Sequence, residues 1–401
     1  MQQALQRTAI LFFAIGALPA CAPRPAAPPS VHEIDPPAPA PGHEPNLALD
    51  WRGRPLLSWV EERPEGGHSL RFSALERGGT WSRPRTIASG SDWFVNWADF
   101  PSLASLPGAG LIAHWLVSSG PGTYDYDIRL SRSMDEGETW SAPAAPYAAG
   151  GGGEHGFVSM VPGEDGQVDV IWLDGRNLDG DSGATELRHA RIGADGRAGP
   201  ESVLDERVCD CCQTSAARTG QGVIVVYRDR GDGEVRDISA VRLVGDRWEP
   251  PRPLSRDGWE IHGCPVNGPA VDTEGEAVAV AWFTAAGDGA AVRLAFSGDG
   301  GASWGEPLRV DEGRPLGRVD VAMGPGGGAF VSWMENLVDD AEIRVRFVDA
   351  GGRLDPSVRI ASSSGERDSG FPRLARAGRE LIVVWTAAED PPRVRAASVI
   401  F

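Results

Sequence analysis

Seven aromatic residues recur along this chain at a near-constant interval. They are Trp59, Trp115, Trp172, Tyr227, Trp282, Trp333 and Trp385, spaced by 56, 57, 55, 55, 51 and 52 residues. Each lies inside an apolar, β-branched run, as in LLSWV, VDVIWL and VAVAWF. The units share one order. A short strand such as FPSLASL or FPRLAR comes first, and a Gly- or Asp-rich turn leads into the anchor strand. An alternating strand follows, as in SLRFSAL or IRVRFVD, and then a weaker one carrying Pro, as in WSRPRTI or WGEPLRV. Pro suits an edge strand because it cannot donate to a ladder. With 52 Gly and 32 Pro in 401 residues, long helices are excluded and many short strands are favoured.

Four strands per unit at this period is the signature of a β-propeller. One blade cannot bury both faces of its sheet, and stacking around a ring does so. The seventh unit reaches Phe401 without a fourth strand, and residues 30–35 (SVHEID) are expected to supply it and close the ring. The expected fold is all-β: a seven-bladed propeller of four-stranded antiparallel blades over residues 48–401. The alternative is six blades, with one repeat as a terminal appendage.

The first twenty residues read as an export signal, with Arg7 ahead of an apolar run from Ala9 to Leu18. That run is too short to span a membrane. Leu18-Pro19-Ala20-Cys21 resembles the lipobox of bacterial lipoproteins, which implies a lipid on Cys21. Ala22 in place of Asp implies outer-membrane sorting. Residues 21–47, with nine prolines between Pro23 and Pro45, read as a semi-rigid tether. The net charge is −18, and all 38 bases are Arg. Lys-based covalent chemistry is thereby excluded, and nucleic acid is not an expected partner.

Two units carry a distinctive turn. Ser133, Asp135, Gly137, Thr139 and Trp140 fit S-x-D-x-G-x-T-W, and Ser297, Asp299, Gly301, Ser303 and Trp304 repeat it with Ser for Thr. A degenerate copy has Glu76 at the Asp position and ends at Thr80-Trp81. Asp caps backbone N–H groups, Gly permits positive φ and Trp packs between blades. These turns resemble those of the Asp-box (BNR) propellers, whose best-known members are sialidases. That resemblance implies the fold strongly and the reaction weakly. Sialidases would imply an arginine triad, a Tyr nucleophile with a Glu partner, and an Asp acid. The Phe/Tyr-Arg-Ile-Pro motif of their first arginine is missing. Tyr124 and Tyr126, read on a loop, are the candidate nucleophiles.

In a propeller, loops before the first strand and between the middle strands meet on one face near the axis, where pockets form. Counting back from each anchor places Asp99, His155, Cys211/Cys212, Cys264, Arg318 and Asp368 in equivalent positions on blades 2 to 7. Four of the five cysteines fall in two adjacent loops. Two readings stand side by side. In an oxidising compartment Cys209, Cys211, Cys212 and Cys264 form disulfides, one of them tying neighbouring blades. Alternatively these cysteines, with His262 and His155, hold Cu(I) or Zn(II). The middle-strand loops add Asp174, Arg176, Arg228 and Asp229 as ligand-binding candidates, Arg being suited to carboxylate or phosphate. His68 and His114 are not expected to be ligands, and Ser89 to Asn96 reads as either a lid or a packed insertion.

The sequence therefore points to a lipid-anchored cell-envelope module that binds a carbohydrate or an envelope protein over blades 3 to 5. The alternatives are a sialidase-like glycoside hydrolase and a structural partner of an envelope complex.

Overall fold

The computed structural model describes residues 29–148, 152–178, 183–287, 289–338 and 340–401. Cys21 and the export signal lie outside them. Seven antiparallel sheets follow one another around a ring. In each blade the first strand of the unit is innermost and the anchor strand is second. Blade 3 is representative, with strands His155–Pro162, Val168–Asp174, Glu186–Ile192 and Ala198–Asp205. The strand Ser30–Ile34 pairs antiparallel with Arg393–Ile400 as the outer strand of blade 7. The chain then enters blade 1 through Gly42–Leu49. The ring thus closes as the sequence suggests, with seven blades.

One expectation needs correction, and two blades depart locally from the regular pattern. The tether is shorter than residues 21–47, because residues 30–34 and 42–49 are strands. Their prolines sit where strands tolerate them: Pro41 precedes the second strand, and Pro45 lies in the register break between His43 and Asn46. The four-stranded pattern loosens at two outer edges. Blade 2 keeps its fourth position only through a Leu130–Ala144 bridge, flanked by Pro143 and Pro146. The outer edge of blade 4 is split into Arg247–Trp248 and Arg252–Pro253 by Pro250-Pro251.

The seven anchors are all buried, at 0–4% exposure. They are packed in one sense. Trp172 joins the core between blades 2 and 3, Tyr227 that between 3 and 4, and Trp59 that between 7 and 1. The other four repeat the pattern, so each anchor faces the preceding blade and each junction has one core. A buried indole N–H or phenol needs an acceptor. Asp174 accepts from Trp172 at 2.7 Å, Glu335 from Trp333 at 2.7 Å, and Asp257 from Trp282 at 2.8 Å. Asp205 accepts from the Tyr227 hydroxyl at 2.5 Å.

Around the axis the inner strands are stitched by side chains. Asp272 accepts the Met323 N–H at 2.7 Å, Asp320 that of Leu374 at 2.9 Å, and Ser215 that of Val271 at 3.1 Å. At the outer rim, Asp135 accepts the Thr139 N–H at 2.9 Å and its hydroxyl at 2.6 Å, and Asp299 treats Ser303 identically. The Thr139 hydroxyl and N–H hold the Asp135 carboxyl down at about 2. Gly137 and Gly301 both have φ +84°, and Trp140 and Trp304 pack against inter-blade cores. These residues shape turns and are remote from the axis.

Trp282→Ala should destabilise the fold by about 3–5 kcal/mol, as for large aromatic truncations in a core. Trp51→Ala, at a 54% exposed position, should change it by no more than about 0.5 kcal/mol. Urea unfolding of both variants checks this.

Candidate functional site

We call the face bearing the second-to-third-strand loops the upper face. A cavity of about 520 Å³ runs along the axis, lined by all seven inner strands. Its upper end is crossed by residues 93–101, the segment ahead of blade 2. Trp93 stacks on Trp115 at 5.9 Å, and the Phe94 N–H donates to Leu116 at 3.1 Å. The Ala98 carbonyl accepts from Gln213 of blade 4 at 2.6 Å. Trp97 stacks on Phe371 of blade 7 at 5.7 Å, and the Arg318 guanidinium of blade 6 lies 5.0 Å from its ring. A blade 2 loop that touches blades 4, 6 and 7 must lie over the axis. Of Ser89 to Asn96, therefore, Ser89 and Gly90 end the outer strand of blade 1, and Trp93 to Asn96 belong to a packed insertion.

Under this insertion lies an acid pair bridged by a phenol. The Tyr126 hydroxyl is 2.8 Å from Asp99 Oδ2 and 2.8 Å from Glu154 Oε1. Asp99 Oδ1 also accepts the Phe157 N–H at 2.8 Å. That N–H is aimed inward because Phe157 takes φ +53°, a conformation costly for a non-glycine residue. Gly156 is obligatory here, since a Cβ would come within 1.9 Å of Asp99. One phenol carries one proton and cannot donate to both carboxyls. The second contact therefore requires a protonated carboxyl. Burial pushes both Asp99 and Glu154 up to about 7. Asp210 adds to the shift at Glu154, and Asp210 in turn pairs with Arg236 at 3.3 Å. Asp99 is buried and Glu154 half-buried, so Glu154 is the member that solvent reaches.

The candidate nucleophiles separate. Tyr126 is not on a loop: it opens the strand Tyr126–Ser133, is fully buried, and lies under Phe94 at 4.0 Å between ring centres. Its pKa is pushed well up by burial and the two acids, so it is a neutral donor. Tyr124 is 59% exposed and sits edge-on to Phe94.

The arginine candidates turn inward. Arg228 is buried and donates to the Asn267, Arg236 and Phe283 carbonyls, with Trp259 4.7 Å from its guanidinium. Burial lowers its pKa to about 9. Arg318 donates to Ser369 and to the Gly370 and Glu366 carbonyls. Neither is free to grip an anion, contrary to the expectation from residue type. Asp174 is saturated by Trp172 and a bidentate Arg176 at 2.7 and 2.6 Å. Asp229 caps the Arg230 N–H. Asp368 is exposed, on the short turn whose Ser369 holds Arg318.

All four loop cysteines are paired, Cys209 with Cys212 and Cys211 with Cys264. The second bridge ties the loops ahead of blades 4 and 5 across 53 residues, about 4 kcal/mol by chain entropy. The Cu or Zn reading at this cluster requires thiolates, which the paired form does not offer. His155 is aimed away, 3.6 Å from both Asp127 and Asp174, and His262 is exposed.

Glu154, Trp97 and Gln213 are the residues that the sequence reading misses, whereas Phe94 lies in the segment it reads as a lid or a packed insertion. Glu154 adjoins His155 in the same register column, and that adjacency was the available signal.

No family model and no curated protein sequence matches the chain. Solved structures match it in fold. A PL25 ulvan lyase bound to a GlcA–Rha3S saccharide superposes with a TM-score of 0.57 at 11% identity, covering 91% of this chain and 95% of its own. An α-L-arabinofuranosidase of Fusarium graminearum gives 0.50 at 14% identity, covering 90% and 95%. The Hadza microbial sialidase Hz136 gives 0.49 at 15% identity, covering 82% and 73%. At such identities the likeness to the lyase and the arabinofuranosidase establishes a shared fold and nothing more.

The acid pair carries a pH signature. Both carboxyls bind protons more tightly folded, near 7, than at their ordinary 3.8 and 4.5. Their stabilising contribution is complete below about pH 4 and lost as pH rises through 7. The unfolding midpoint should fall between pH 5 and 8, and the fall should flatten in Asp99→Asn/Glu154→Gln. A midpoint with the same pH slope in the variant would contradict the shared proton.

Proposed function

We propose that this chain is an exported, lipid-anchored propeller of the bacterial cell envelope that binds a saccharide chain over blades 2 to 4 of its upper face. The observation that carries the reading is Glu154, a half-buried carboxyl on the hydroxyl of Tyr126, whose ring lies under half-buried Phe94 and, edge-on to it, exposed Tyr124. Aromatic surface with a few fixed polar groups is the usual composition of a small-molecule site. A carboxyl that titrates near 7 both donates to and accepts from hydroxyls. The ulvan lyase and the arabinofuranosidase are carbohydrate-active by name and share the fold. The excess of acids over bases favours a neutral chain over a polyanion. Lipid attachment at Cys21, predicted to place the protein on the outer membrane, would present this face to envelope glycans.

Titration calorimetry against a panel of neutral and uronate oligosaccharides tests the reading. Glu154→Gln should weaken binding about tenfold, about 1.4 kcal/mol, and Tyr124→Ala should weaken it too. Absence of binding across the panel, together with recovery of an envelope protein by crosslinking, would replace the reading with that of a structural partner. Cys21→Ala should move the protein from the membrane to the soluble fraction.

A second reading rests on the same group. A carboxyl near 7 is suited to general acid–base catalysis at neutral pH. Turnover of a fluorogenic glycoside, abolished in Glu154→Gln, would make the protein a hydrolase rather than a binding module.

A further inference from the structure

Blade 1 gathers two imidazoles and a carboxylate on one face. The hairpin Arg63–Gly67 sets Glu62 directly opposite His68, and His43 opposite Val60. Side chains alternate along a strand, so Val60 and Glu62 share a face with their cross-strand partners His43 and His68. That face continues through Leu70, in the core between blades 1 and 2. His43 is the last regularly paired residue before a register break, the kind of irregularity at which strands commonly re-aim side chains. The donor atoms of His43, Glu62 and His68 all lie within 4.8 Å of one another. Gly67 permits the tight hairpin: at φ +80°, a Cβ would come within 2.3 Å of the Gly90 carbonyl.

The rings are supported from behind. His68 stacks on Trp93 at 6.5 Å, with 25° between planes. His43 is turned 86° to His68, with centres 6.3 Å apart. Two imidazoles on one zinc, each with Zn–N of about 2.0–2.1 Å, bring their centres to about 5 Å. A small rotamer adjustment closes the difference, and Glu62 is exposed and free to swing in.

A second observation points to a ligand. Glu44 is only 8% exposed, and its Oε2 has no hydrogen-bond partner. Its Oε1 lies 3.7 Å from His43 Nδ1. An orphaned buried carboxylate is costly. A small turn of the imidazole would bring its Nδ1–H within hydrogen-bond reach of this carboxylate, the way an outer carboxylate fixes the tautomer of a metal-bound histidine. That arrangement leaves His43 Nε2 for the ion.

We propose that His43, Glu62 and His68 bind one divalent transition-metal ion, zinc by the chemistry of the donors, with a coordination position left open to solvent. Two nitrogens and one carboxylate oxygen are the donor set of open zinc sites. The group is separate from the cysteines and does not depend on the saccharide reading. His68, which the sequence gives no reason to call a ligand, becomes one through the fold.

The test is zinc competition against a chromophoric indicator, with the purified full chain lacking any histidine tag and stripped with EDTA. About one zinc per chain should bind, as one three-ligand site requires, with the four loop cysteines unreactive to thiol reagents before and after. His43→Ala and His68→Gln should each abolish stoichiometric binding. Glu44→Gln should weaken it about 10–100-fold, as for loss of an outer carboxylate. Cobalt should give the intense visible bands of a low-symmetry four-coordinate site in the wild type and not in His68→Gln. Thermal melts in EDTA confirm that the variants fold. No stoichiometric zinc on the wild type, or binding unchanged in folded His68→Gln, would overturn the proposal.

Discussion

Packing of each aromatic anchor against the preceding blade is the contact on which the rest depends. A four-stranded sheet with two apolar faces has no stable existence in water. Here every blade sets its own anchor against the previous blade and offers its other face to the next anchor. That relation has no natural end, so it must close. The strand Ser30–Ile34 closes it on Arg393–Ile400, which joins the first and last strands of the propeller in a single sheet. Closure then brings the upper loops of all blades around one axis.

The upper face is built from buried charge. Arg228 and Arg318 are held by carbonyls and aromatic faces rather than by carboxylates. A guanidinium with several donors in a rigid plane can serve as a crosslink between loops that share no ladder. Arg228 joins the loops of blades 4 and 5, and Arg318 joins those of 6 and 7. The insertion 93–101 completes the roof through Trp97, Ala98 and Phe100. Asp99 and Glu154 lose solvent beneath it, and their proton affinity rises as a consequence. The roof and the acid pair are therefore one structural event.

The periodic features were legible in the sequence. The anchors, the closing strand and the rim turns each depend on local pattern, and each lies where the pattern puts it. The cysteines were legible as neighbours, because blade register brings the two loops together, but their pairing was left open. What escaped depends on direction rather than position. Arg228 and Arg318 have the residue type of anion ligands, yet Arg318 takes φ +53° and its N–H is held by Asn267, which turns the side chain inward. Tyr126 is the first residue past its loop, and one residue reverses the side of a strand. Glu154 and Gln213 act only through a loop that crosses the axis, and no spacing encodes that. The proline run concealed Gly42–Leu49, because a strand with an irregular start accepts Pro45.

Native-state hydrogen exchange is the most direct measure of the closed ring, comparing the wild type with a chain whose residues 30–34 are replaced by a Gly/Ser run of equal length. If the ring depends on this strand, the amides of Arg393–Ile400 and of blade 1 lose protection together in the altered chain, and the urea midpoint falls with them. Unchanged protection in both blades would show that the propeller holds without its closing strand, and would contradict the packing scheme on which the upper face rests.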